Sequence, residues 1–398
     1  MKILFLTLSK ITSIEDRGIY PDLIRKFRDE GHHITIVSPV ERRVKLSTQL
    51  IIENGVSILL VKTLNIQKTN FIEKGIGTLA IEYQYLSAIR KLLFNTKFDL
   101  VLYSTPPITF YKVVKYIKKR DNAYTYLLLK DIFPQNAVDM KMIKKDGLLH
   151  KYFLKKEKKL YSISDTIGCM SPANVDFLLK HNPEVNPNKV EVNPNTIEPI
   201  HFNFTQEEKN KIRKRYDVPL DKKILVYGGN LGKPQGLDFL LDTIKSVKNK
   251  EIFFLIVGDG TEFSRIKSWF DSYQPQNAKL LQHLFKEDYD KLLAACDVGL
   301  IYLDKNFLIP NFPSRLLSYL EMKLPVIAAT DVNTDIGDII EKANCGYKIL
   351  AGDLNSINVI INEHVADADL SILGENSWKL LQKEYTVKKS YQLIMQKL

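Results

Sequence analysis

Two stretches set a cation beside backbone that can hold an anion. Residues 224–236, ILVYGGNLGKPQG, read as a buried apolar strand that runs through glycines to a helix starting at Leu237, with Lys233 in the turn. The first N–H groups of a helix have no partner inside it, and with the helix dipole they favour negative charge. Residues 311–328, NFPSRLLSYLEMKLPVIA, repeat the arrangement: Pro313 and Ser314 open a helix, Arg315 stands in its first turn, and Pro325 leads into the next strand. Two helix N-termini and two cations, Lys233 and Arg315, are expected to converge on one diphosphate.

The commoner phosphate loops do not fit. A P-loop needs glycine where Tyr227 stands and Ser or Thr where Pro234 stands. Gly228, Gly229 and Gly232 lack the G-x-G-x-x-G spacing of a dinucleotide fingerprint, and their strand lies mid-chain. Either stretch alone also fits an ordinary strand-to-helix turn; it is the pair that points to chemistry.

A third candidate is Asp131, just past the apolar run 124–130 in KDIFP. A carboxylate beyond a strand end can orient or deprotonate an acceptor hydroxyl, and a turn or helix cap is the plainer role. Metal chemistry is not expected. The seven histidines form no H-x-x-x-H pair, and Asp367-Ala-Asp369 reads as solvated surface near the C-terminus. Cys169, Cys296 and Cys345 are far apart in apolar runs and read as reduced core residues.

These residues need a scaffold of alternating strands and helices. A chain of 398 residues, 45% apolar, is too long for one ordinary core and fits two α/β domains. Strands at 2–9, 34–38, 56–62, 99–104, 124–130, 165–170 and 190–192 alternate with helices at 18–30, 75–94, 109–119 and 142–161. The loop 10–17 follows the first strand and so belongs to a site, with Arg17 and then Gly18, which permits close backbone approach. A polar stretch from Glu198 to Asp221 marks the boundary, and a second α/β series runs from Ile224 onward. The expected domains are 1–198 and 199–385, with a closing helix at 386–398 packed back on the first. Two such halves suggest a cleft between them.

Charge is uneven. The net +11 is concentrated in residues 112–159, where fourteen Lys or Arg face five acids. That implies an anionic partner. The segment 142–161, MIKKDGLLHKYFLKKEKKLY, has the pattern of a basic amphipathic helix suited to anionic lipid. No nucleic-acid module or aromatic stacking platform accompanies the charge. No apolar run is long enough to span a bilayer, and the N-terminal MKILFLTLS reads as a first strand rather than a signal peptide.

Together with VGDG (257–260), ACDVGLIYL (295–303) and PVIA (325–328), the two opening stretches resemble the donor domain of the retaining family-4 glycosyltransferases of GT-B fold. RDEGHHITIVSP (28–39), STPP (104–107) and KDIFP (130–134) agree in the first half. The wordings GGNLGKPQGL and FPSRL are most similar to the branch that transfers N-acetyl-fucosamine-type sugars in bacterial surface-polysaccharide assembly, of the capsule or O-antigen kind. The resemblance implies two Rossmann-like domains facing across a cleft, a UDP-sugar donor as substrate, and neither cofactor nor metal. It also implies a polyprenyl-pyrophosphate-linked saccharide as acceptor, and a place at the inner face of the cell membrane.

Carried onto this sequence, the resemblance puts Lys233, Arg315 and Asp131 in catalysis. Gly229, Asn230, Gly232, Gln235, Gly258, Ser314, Leu316 and Ser318 fall on the donor side, and Arg17, Gly18 and Lys130 on the acceptor side. There are departures. Asn230 and Gln235 stand where the family has Arg and Lys, its paired glutamates fall on Pro310 and Ser318, and its His-Asp is Lys130-Asp131. Lys233 and Arg315 are the expected replacements for the missing cations. A sugar-nucleotide 2-epimerase of the same fold and a non-catalytic partner subunit remain open as alternatives.

Overall fold

The computed structural model describes residues 1–66 and 71–398. The chain forms two units, Met1–Glu198 with Val387–Leu398, and Pro199–Thr386.

In the first unit, eight strands make one sheet: β1 (Lys2–Leu6), β2 (His33–Glu41), β3 (Gln49–Glu53), β4 (Val56–Thr63), β5 (Leu100–Ser104), β6 (Tyr124–Leu129), β7 (Thr166–Cys169) and β8 (Val190–Val192). Their order is β3-β4-β2-β1-β5-β6-β7-β8, parallel except for the β3–β4 pair. β1 and β5 are neighbours although the chain moves outward through β2 and β4 before returning, so the connections reverse direction between them. Ligand crevices of open parallel sheets lie at such a point, beyond the carboxyl ends of the strands.

The central strands read LVLYS and YTYLLL because both faces are covered, and apolar residues fill every position of β5 up to Ser104. Helix Ile19–Asp29 buries Leu23, Ile24 and Phe27 against the sheet. The closing helix, Val387–Met395, lies on it: the Phe27 and Tyr391 rings meet edge-on, 4.9 Å between centroids, and Ser390 Oγ donates to Asn193 Oδ1 at 2.8 Å.

The segment 142–161 differs from its expected form. The helix there is Leu148–Ile163, because Asp146 takes a left-handed φ of 60° and Gly147 opens the helix only after that turn. A short helix, Gln135–Asp139, precedes it. β3 and the helix Pro172–His181 also stand where no element was expected.

The second unit has six parallel strands: β9 (Lys223–Asn230), β10 (Ile252–Asp259), β11 (Ala278–Gln282), β12 (Val298–Tyr302), β13 (Val326–Thr330) and β14 (Gly346–Leu350), in the order β11-β10-β9-β12-β13-β14. β9 does not stop at Tyr227. It continues through Gly228, Gly229 and Asn230 in register with Val257, Gly258 and Asp259. The strands approach closely enough there that a Cβ on Gly258 would stand 2.0 Å from the Gly229 carbonyl oxygen.

On its other side β9 meets β12 over two rungs only, Leu225 with Val298 and Val226 with Gly299. Beyond them the strands part, and the Tyr319 hydroxyl spans the gap: it accepts from Gly228 N–H at 3.0 Å and donates to the Leu300 carbonyl at 3.1 Å. This is the reversal point of the second sheet.

Candidate functional site

The parting of β9 and β12 gathers the donor-side residues. Helix Arg315–Glu321 buries Leu316, Leu317, Tyr319 and Leu320, which fixes where its first residue stands. The Arg315 guanidinium lies over the Tyr227 ring, 4.3 Å from its centroid, and Arg315 Nη2 donates to Gln235 Oε1. A Cβ on Gly229 would be 3.9 Å from the guanidinium carbon, so the cation faces the end of β9. Stacking on an aromatic face with the fork held by one amide suits arginine rather than lysine. Among the described residues Arg315 pairs with no carboxylate, and its buried Nη1 has no hydrogen-bond partner.

Gln235 is itself buried, in a short 3-10 turn, Lys233–Gln235, between β9 and the helix Leu237–Ser246. Its Oε1 stands 3.4 Å from Tyr227 Oη, so one amide ties Arg315 and Tyr227 together. Gly236 ends the turn at φ 55°, where a Cβ would stand 2.6 Å from the Leu303 carbonyl oxygen. Glycine is required there on both counts.

Lys233 points elsewhere. It is exposed and lines a groove of about 630 Å³ with Asp238, Arg265, Asp304, Lys305 and Gly352; Arg315 is not part of that lining. Asn230 lays its side chain over Gly232 and Gly260, with Nδ2 3.0 Å and Oδ1 2.8 Å from where their Cβ atoms would be. Leu316 is fully buried, whereas Ser314 and Ser318 are more open. Pro310 is buried. Glu321, one turn past Ser318, spends a carboxylate oxygen on Ile200 N–H at 2.9 Å.

In the first unit, Lys130 and Asp131 follow β6 at the carboxyl edge of the sheet. Thr105 Oγ1, at the exit of β5, accepts from the N–H of Lys130 at 3.0 Å and of Asp131 at 3.2 Å. Asn136 Nδ2 donates to both Asp131 carboxylate oxygens at 2.7 Å. Loss of water pushes the Asp131 carboxyl up to about 6, with the Asn136 bonds pulling the other way. The same cause brings the Lys130 ammonium down to about 7. Its Nζ donates to the Asn193 carbonyl at 2.8 Å, and Asn193 Nδ2 donates to Tyr126 Oη at 2.9 Å. Asn193 anchors this network.

Arg17 Nη2 reaches the Glu198 carbonyl at 3.4 Å. Gly18 donates its N–H to Asp22 Oδ1 at 2.9 Å, and a Cβ there would meet Pro21 Cδ at an ordinary 3.7 Å. Among the described residues no cluster of His, Cys, Asp or Glu could hold a metal ion, and no helix is long and apolar enough to cross a membrane. Asp367 and Asp369 are exposed in a bend rather than a helix, and Asp369 caps the Ser371 N–H at 3.0 Å. The three cysteines are free and buried.

Residues 208–376 match the family model described as glycosyl transferases group 1. That segment is a glycosyltransferase group 1 domain. The chain is a glycosyltransferase of GT-B fold, built on two parallel-sheet α/β units. Among relatives of this glycosyltransferase is WbjE of Pseudomonas aeruginosa, described as a probable glycosyltransferase, 23% identical over 92% of this chain and 89% of WbjE. WcaI of Escherichia coli K12, described as a putative colanic acid biosynthesis glycosyl transferase, is 25% identical over 37% of each chain. The crystal structure of Anabaena HepE in complex with UDP and glucose superposes with a TM-score of 0.71 at 16% identity, covering 100% of this chain and 98% of HepE.

Three tyrosines of the site had no expected role: Tyr227, Tyr319, and Tyr289, whose hydroxyl stands beside Gly228. Their local signal is tyrosine in otherwise aliphatic or polar runs, such as KEDYDKLL; the doublet Gly228-Gly229 directly follows Tyr227 but lies some sixty residues before Tyr289 and ninety before Tyr319.

Proposed function

We propose that this glycosyltransferase moves a sugar, with retention of configuration, from a UDP-sugar to a lipid-pyrophosphate-linked saccharide in capsule or O-antigen synthesis. The sugar is an N-acetylated amino sugar of the N-acetyl-fucosamine type, and the chemistry uses neither metal nor cofactor. The observation that carries this reading is Arg315: a guanidinium held by an aromatic face and an amide, with no carboxylate facing it among the described residues. A charge taken out of water without a partner is costly, and a donor diphosphate supplies the missing countercharge. The name of WcaI and the UDP held by HepE support the same pathway class and nucleotide.

The barrier is departure of the nucleoside diphosphate from an oxocarbenium-like sugar. Positive groups fixed at the leaving phosphates lower it without moving during the reaction. Arg315 is such a group by virtue of its packing; Lys233, whose side chain lines a neighbouring groove, supplies a second cation only on turning toward the phosphates. Asn230 and Ser318 hydrogen-bond the nucleotide in place of the Arg and Glu that the family resemblance would put there. In the first unit, Asp131 accepts a hydrogen bond from the acceptor hydroxyl, and Lys130, Arg17 and the lysine-rich surface meet the acceptor's phosphates.

The helix Leu148–Ile163 sets Leu148, Leu149 and Tyr152, 89%, 55% and 41% exposed, among lysines. That combination favours peripheral binding to anionic lipid.

Purified protein given UDP-N-acetylhexosamines and a lipid-linked acceptor should release UDP. Arg315→Ala should suppress release about a hundredfold, the usual weight of one such donor. UDP release that is indifferent to Arg315 would overturn the reading.

A further inference from the structure

We propose that the Tyr289 hydroxyl and Arg315 Nη1 act as a pair of donors to one phosphate of the nucleoside diphosphate, at the carboxyl end of β9. The proposal rests on the reading of Arg315 above and adds a binding residue to it.

Tyr289 stands on helix Lys286–Ala294, and its hydroxyl oxygen occupies the place of a side chain at position 228: a Cβ on Gly228 would be 1.6 Å from it. Glycine at 228 is therefore what admits the phenol to the strand end. The oxygen is buried and, among the described residues, has no hydrogen-bond partner; the same holds for Arg315 Nη1. Most buried polar atoms are paired, so two orphans in one cluster need a common explanation. Tyr289 Oη stands where a side chain on Gly228 would be, and the Arg315 guanidinium 3.9 Å from where one on Gly229 would be, so neighbouring positions of β9 hold both groups at the strand end.

Their chemistry narrows the ligand. A guanidinium has donors only. Burial holds the phenol well above its ordinary range, more than the Arg315 charge lowers it, so it keeps its proton at neutral pH. Both groups can donate, and a group that only accepts, such as a phosphate oxygen, satisfies the two at once. Tyr319 cannot serve in this way, since its hydroxyl is committed to Gly228 N–H and the Leu300 carbonyl. Tyr227 supplies its ring face and Gln235 its amide oxygen to Arg315; both are positioning residues.

The test is calorimetric titration of the intact protein and of Tyr289→Phe with UDP, UMP and uridine, alongside thermal melts. The variant keeps the ring that fills the space beside Gly228 and removes only the hydroxyl. UDP affinity should fall about tenfold, the weight of one hydrogen bond to a charged group. Uridine affinity should stay unchanged, and the melting temperature should hold or rise because an unpaired buried hydroxyl has gone. Unchanged UDP affinity, or equal losses for UDP and uridine, would overturn the assignment of Tyr289 alone. Wild-type protein that binds UDP no better than uridine would overturn the reading of Arg315, and this proposal with it.

Discussion

Arg315 and Gln235, eighty positions apart in the chain, are joined by a hydrogen bond from Nη2 to Oε1. The bond makes a neutral amide the partner of a half-buried cation, which holds the guanidinium without neutralising it. Gln235→Glu should therefore do the opposite of what its similarity suggests. A carboxylate at this place pairs with Arg315 and competes with the donor phosphates, so KM for the UDP-sugar should rise about tenfold or more while thermal stability increases. Steady-state kinetics with melting curves on the variant check both signs.

Gly228→Ala should be costly for a reason that lies outside its own strand. The new methyl would collide with the Tyr289 hydroxyl, and overpacking of this kind destabilises by about 1–3 kcal/mol. Denaturant unfolding of Gly228→Ala, Tyr289→Ala and the double variant should show the double less destabilised than the sum of the singles. Strict additivity would mean that the two residues do not meet.

Asp131 predicts a pH limb. Burial pushes its carboxyl up to about 6, and only the ionised form can take the proton from an acceptor hydroxyl. Turnover should rise with pH through that value, and Asp131→Asn should lower the rate and flatten the limb. A rate profile measured with saturating donor distinguishes this from effects on nucleotide binding.

Lys130 gives a stability signature of definite sign. Its folded value is lowered to about 7 from the ordinary 10.5, so between those values the unfolded chain holds a proton that the folded chain does not. Stability from this group therefore rises with pH across that window, and is least below it, where the folded state must carry the desolvated charge. Lys130→Met should remove the rise, as read by the difference in melting temperature between the two proteins from pH 7 to 10.

Leu148 and Leu149 test the lipid surface. Replacing both with Glu should reduce co-sedimentation with anionic vesicles, and added salt should weaken wild-type binding as its lysines are screened. Equal binding by both proteins to neutral and anionic vesicles would contradict a basic contact face.

Much of the scaffold could be read from the chain because its signals are local. Apolar runs such as ILVYG and LLLK, ended by glycine, proline or aspartate, mark strands and their exits, and Pro313-Ser314 marks the start of the helix that presents Arg315. What escaped depends on contacts distant in sequence. β9 extends through Gly228–Asn230 because Gly258 lets β10 come close, and nothing within β9 announces that. The edge strand β3 is set by pairing with β4 rather than by its own mixed, largely exposed sequence. The basic helix begins at Leu148 because the turn at Asp146 and Gly147 overrides an apolar pattern that continues upstream.

The three tyrosines belong to the same class, since each acts on a strand or side chain far along the chain. Arg315 was legible as a cation at a helix start, but its stacking on Tyr227 and its missing carboxylate partner required coordinates. The companion role expected of Lys233 rested on its place in the glycine-rich turn before the helix at Leu237, and its side chain lines a groove that Arg315 does not.

The central claim is that the Arg315 guanidinium is the countercharge of the donor diphosphate, and a crystal structure of the protein soaked with UDP tests it most directly. The account predicts a phosphate oxygen within hydrogen-bonding distance of an Arg315 nitrogen, with the guanidinium still against Tyr227. UDP bound with its phosphates away from Arg315, the cation remaining closed in its cage of tyrosines, would contradict it.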